Sequence, residues 1–206
     1  MMKILKENQH GRSMIEMLGV LAIVGILSVG GISGYSKAML KIKLNKMIDE
    51  YIQFIQSLAL FKNDFMREKD LQNIERLYFA SYYPPTELPY GWTAKASTII
   101  DNFGVHITPY VQDRLVVSYY LKRNEDINEN KEMCRVMLLN IVKPFHETLE
   151  AVWIYRGNAT TGGNFYGTGH CNGSNKKCIS DITPNEAINL CNTCLEDTIC
   201  ILEFSL

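Results

Sequence analysis

The sequence predicts an α+β fold: a long N-terminal helix, part membrane span and part amphipathic, packed on a small antiparallel-sheet globular domain whose C-terminal region is tied by disulfides. Three observations carry that reading. An apolar stretch over residues 14–34 runs without a break into a hydrophobic pattern of helical period. Runs of β-branched and aromatic residues at 105–108, 115–121 and 198–206 have the character of strands. The six cysteines, Cys134, Cys171, Cys178, Cys191, Cys194 and Cys200, all lie in the last third, and an even count confined to one region favours disulfides in an exported domain.

The first element is the stretch MIEMLGVLAIVGILSVGGISG, in which Glu16 is the only ionisable side chain. Its length suits a bilayer core roughly 30 Å thick. Lys3, Lys6 and Arg12 precede it, but Lys37, Lys41, Lys43 and Lys46 follow it, so charge counting leaves the orientation open. An ordinary secretory signal places a small-residue cleavage site after its apolar run, and none stands there. Instead Leu44, Met47, Ile48, Tyr51, Ile52, Ile55, Leu58 and Ala59 recur at helical spacing, with Lys46, Asp49, Glu50, Gln53 and Gln56 between them. Residues 12–34 and 35–61 are therefore the span and the amphipathic half of one helix of about 45 residues, roughly 68 Å long. Gly25, Gly30, Gly31 and Gly34 are expected to loosen it.

The globular domain covers residues 62–206. A second helix is expected around 67–79, ending before Tyr83-Pro84-Pro85, with Pro89-Tyr90-Gly91 continuing the break. Residues 131–152 have helical spacing interrupted at Pro144, and 198–206 reads as a closing strand. The composition at 157–177 shifts to Gly, Asn, Thr and Ser, which predicts a surface excursion.

With 47% hydrophobic and 21% charged residues the chain has the composition of an ordinary globular protein, and a net charge of −1 gives no basic field for nucleic acid. No nucleophile elbow, HExxH pair or phosphate loop is present, and nothing points to a catalytic residue or a cofactor. The run Gly162-Gly163, Gly167 and Gly169 reads as a flexible loop, because no strand precedes it and no helix follows. Cys191-x-x-Cys194 leaves a redox pair or a zinc site open, with His170, Cys171 and Cys178 as further ligands, although the spacings do not form a paired CxxC arrangement. The pairs Tyr82-Tyr83, Tyr119-Tyr120 and Phe165-Tyr166 suit core packing or stacking on a ligand.

The stretch Gly11-Arg12-Ser13-Met14-Ile15-Glu16-Met17-Leu18 resembles the processing motif of type IV prepilins: a glycine, the cleaved bond, and a glutamate at the fifth residue of the mature chain inside an apolar run. Leu88-Pro89, Asn102-Phe103-Gly104, the helix around Cys134 and the closing Pro184 to Phe204 segment are similar to the globular region of type IVb pilins. The resemblance implies a leader of residues 1–11 removed between Gly11 and Arg12, N-methylation of the new amine on Arg12, and Glu16 as the assembly residue that pairs with the amine of a neighbouring subunit. It implies as partners a prepilin peptidase, an inner-membrane assembly platform with its ATPase, and copies of itself or related pilins, with no metal. It places the chain in the inner membrane with a periplasmic domain, then in a filament at the surface or in the periplasm serving adhesion, motility, DNA uptake or secretion. The family's habit of tying an early helix to the C-terminal segment implies a Cys134–Cys191 disulfide, leaving Cys171–Cys178 and Cys194–Cys200 as local loops. The chain departs from the subgroup in its short leader, its first mature residue Arg12, its six cysteines and Ser33 where related chains have a kinking proline. A minor pilin or secretion pseudopilin is the alternative, and a signal-anchored periplasmic enzyme or metal-binding module a further one.

Overall fold

The computed structural model describes residues 14–121, 127–156, 159–192 and 200–206, and divides at Lys43/Leu44 into two compact units. Helix α1 is Met14–Leu71, with Glu16 in its first turn and Lys69 in its last, charges that complement the helix dipole. The glycines at 25, 30, 31 and 34 do not interrupt it. Ser28 and Ser36 donate their hydroxyls to the carbonyls of Val24 and Ile32, at 2.7 and 3.0 Å, so neither leaves an unmet donor on an apolar surface.

The expected break after Phe61 and the separate helix at 67–79 are not present; α1 runs on to Leu71. Phe61 and Phe65 extend the packed face by another turn, and Asp64–Arg67 and Glu68–Gln72 pairs support the exposed side. The stop is Asn73, with φ 51°. The Ile74 N–H reaches the Lys69 carbonyl at 3.4 Å and the Asn73 N–H the Asp70 carbonyl at 3.0 Å, the two bonds of a Schellman ending. The chain then enters a short strand, β1 (Leu77–Tyr78), where helix was expected.

Two single turns, Ala80–Tyr82 and Pro85–Glu87, lead to β2 (Thr93–Lys95), β3 (Thr98–Ile100), β4 (His106–Val111) and β5 (Leu115–Leu121). Helix α2 (Ile127–Val136) widens into a π-turn at Met137–Val142 and ends in a 3-10 turn at Lys143–Phe145. The helical spacing expected over 131–152, interrupted at Pro144, is realised only as far as Phe145, and β6 (Ala151–Arg156) takes over. There Val152 and Ile154 are buried while Trp153 and Tyr155 are half-buried, a period of two rather than 3.6. The expected excursion at 157–177 is in its first half a strand, β7 (Ala159–Tyr166), paired with β6. Thr160 and Thr161 are β-branched strand formers, and a neighbour supplying the hydrogen bonds decides the matter over local composition.

Helix α3 (Pro184–Asn192) opens with Pro184 in its first position and a capping exchange, in which the Glu186 N–H donates to Thr183 Oγ1 at 3.2 Å and the Thr183 N–H to Glu186 Oε2 at 3.5 Å. The last strand is β8 (Cys200–Ser205).

The sheet runs β2-β3-β4-β5-β8-β6-β7, antiparallel at every pairing, with β1 added to β4. β8 is thus inserted between β5 and β6. One face carries Ile107, Val117, Tyr119, Leu202, Phe204, Val152 and Ile154, all buried. The second half of α1 packs there through Met47, Tyr51, Phe54, Ile55, Leu58 and Phe65, with Tyr51 and Tyr119 rings 5.1 Å apart. The opposite face presents Thr108, Tyr110, Tyr120, Ile201, Glu203, Trp153 and Tyr155, all half-buried, beside Val116, Ser118, Ser205 and Ala151, which are buried.

Candidate functional site

The first half of α1 carries large apolar side chains on every side of the helix: Met14 is 84% exposed, Leu18 62%, Ile26 75% and Val29 71%. A soluble helix hides one stripe; here no stripe is hidden. By length and composition α1 can cross a membrane. Glu16 lies in its first turn, and Gly11 and Arg12 lie outside the described residues.

The second half of α1 is fastened to the sheet by a polar node that the sequence did not announce. Glu50, expected on the solvated side, is buried. The Trp92 indole N–H donates to its Oε2 at 3.1 Å and the Asn102 amide to its Oε1 at 2.7 Å, with Lys46 Nζ 3.5 Å away. Next to it the Tyr51 hydroxyl donates to Asp101 Oδ2 at 2.7 Å, while the N–H groups of Phe103 and Val105 donate to Asp101 Oδ1 at 2.8 and 2.7 Å. Burial pushes the Asp101 carboxyl up, and these three donors pull against it. Burial, followed by the Asp101 charge, raises the Tyr51 phenol well above its ordinary value. With both Asp101 oxygens accepting hydrogen bonds inside the core, the node clamps the second half of α1 to the sheet. Gly91 belongs to it through its backbone, at φ +89°: a Cβ there would lie 2.3 Å from the Asn102 Oδ1.

Phe54 also belongs to the packed face, and Ala59, expected on it, is exposed. Of the paired aromatics, Tyr83, Tyr119 and Phe165 are core residues, whereas Tyr82 is exposed and Tyr120 and Tyr166 are half-buried on the sheet's outer face.

Cys134 on α2 is joined to Cys191 on α3, and Cys171 to Cys178. With its sulfur committed to Cys134, Cys191 does not form a redox pair with Cys194, and Cys171 and Cys178 are not thiolate ligands. Cys200 is disulfide-bonded as well; Cys194 lies outside the described residues. Among the described residues no group of three His, Cys, Asp or Glu side chains converges as a metal site. The chain matches no protein-family profile, no curated protein and no solved structure.

Proposed function

We propose that this chain is a type IV pilin-like subunit, cut after Gly11, held in the inner membrane by the first half of α1, and assembled through that half into a filament. The observation that carries the reading is the run of exposed apolar side chains around the whole of α1 before Lys43, with Glu16 as its lone carboxylate. Such a surface is untenable in water, and hydrocarbon or other apolar helices are the environments that suit it. A carboxylate at the start of that run is costly in hydrocarbon without a cationic partner. In the proposed filament the partner is the amine exposed on Arg12 of an adjacent subunit, so the ion pair forms only after cleavage. The globular unit, tied by Cys134–Cys191 and Cys171–Cys178, then faces the periplasm or the medium, where disulfides persist.

Intact mass of the protein from a sheared surface fraction tests this. The expected species has 206 − 11 = 195 residues, begins at Arg12 with a methylated amine, and contains no free thiol. Gly11→Val is expected to hold the uncut chain in the membrane, and Glu16→Ala to be cut and folded but absent from the sheared fraction. An exported protein still beginning at Met1, or wild-type incorporation of Glu16→Ala, would overturn the reading.

A further inference from the structure

On the sheet face turned away from the core, one carboxylate sits among aromatic side chains. Glu203 in β8 stands directly across from Trp153 in β6 and from Ser118 in β5, and the Ser118 hydroxyl donates to Glu203 Oε2 at 2.6 Å. Ile201, one register step along, stands between Tyr120 and Tyr155. Those two tyrosines are therefore diagonal neighbours of Glu203, with separations of about 7–8 Å in antiparallel geometry, within reach of long side chains. Tyr110 on β4 borders the same patch, close enough for Glu203 and Tyr155 to act on its phenol.

Half-buried tyrosines on a sheet face are ordinary; a carboxylate in their midst that no described cation pairs with is not. Among the described residues no Lys or Arg forms an ion pair with Glu203. The flanks of this face already use its rings for cations: the Arg76 guanidinium lies 4.6 Å over the Tyr110 ring, and Lys176 Nζ 5.1 Å over that of Tyr166. The centre has rings and a negative charge but no described cation over it. Glu203 is also felt by the phenols around it: Tyr110 is pushed up to about 12 by burial and then by Glu203, and Tyr155 is raised by the same two causes in the same order. A hydrated metal ion would find a single carboxylate, and a neutral sugar would leave the charge unanswered. A weakly hydrated alkylated ammonium answers both the charge and the ring faces.

We propose that Glu203, Trp153 and Tyr155, with Tyr110 and Tyr120 at the rim, form a binding site for a small soluble alkylated ammonium ion of the choline type. The site belongs to the globular unit and does not rest on the pilin reading.

Trp153 is half-buried in the patch, whereas Trp92 is 6% exposed in the core, so tryptophan fluorescence of the full chain in an uncharged detergent reports on the site. Choline is expected to give a saturable change at about millimolar concentration. Dimethylbutanol, its uncharged isostere, is expected to bind about tenfold more weakly, since one charged contact is worth about that factor. Glu203→Gln should remove that preference, and Tyr155→Leu should weaken choline binding while keeping it. An equal response of the wild-type protein to choline and the isostere would overturn the proposal. So would the absence of any saturable change, or tighter binding of a neutral oligosaccharide.

Discussion

At the scale of single residues, the side chains that organise the globular unit are those whose polarity disguised them. Asp101 titrates above its usual 3.8 in the fold because burial penalises its ionised form. A carboxyl whose folded pKa is raised binds its proton more tightly when folded, so its contribution is full below the unfolded pKa and is lost as pH rises through the folded one. The stability of the wild-type protein relative to Asp101→Asn is therefore expected to fall as pH increases through the acid range above 3.8. Urea midpoints of both proteins across that range check it, and parallel curves would contradict it. Tyr51→Phe, at neutral pH, takes one donor from the buried carboxylate and should cost about 1–3 kcal/mol in the same measurement. Glu50 shows why such residues escaped the sequence reading. Its helical position looked solvated, and its partners Trp92 and Asn102 arrive only through folding, the latter 52 residues along the chain.

At the scale of elements, endings and long-range links are what the fold turns on. Helix α1 was legible as a single apolar-to-amphipathic helix, but its end was not, because the stop is one asparagine in a left-handed conformation rather than a proline or glycine. Asn73→Val is expected to destabilise the globular unit by about 1–2 kcal/mol, since a β-branched residue resists that conformation, while Asn73→Gly should be close to neutral; thermal unfolding separates the two. Strand β7 was hidden by its composition, and α3 by its shortness, although Thr183-Pro184-Asn185-Glu186 carries a helix-start signal. The disulfides act at the same scale. Cys134–Cys191 closes 57 residues and Cys171–Cys178 closes 7. In the chain-entropy account those loops are worth about 4 and about 2 kcal/mol, so Cys134→Ser should lower the urea midpoint clearly more than Cys171→Ser. Equal losses would mean that strain or residual structure, not loop length, governs.

At the scale of the whole molecule, the α+β class was readable from periodicity, yet the strand order was not, since nothing local tells a closing strand to enter the middle of a sheet. β8 is hydrogen-bonded to β5 on one side and β6 on the other, and its contact from Ser118 to Glu203 spans 85 residues. Removal of residues 200–206 is expected to abolish the native sheet rather than trim it. Amide exchange should then show β5 and β6 unprotected, whereas protection surviving in β4 and β5 would show that half of the sheet stands alone. The same insertion sets a clock. A chain delivered from its N-terminus gathers β1 to β7 with the central slot vacant, and the pairings of highest sequence separation are the slowest to form. The globular unit is therefore held short of its native state until β8 has joined β5 and β6, so its protection appears in one late step rather than strand by strand.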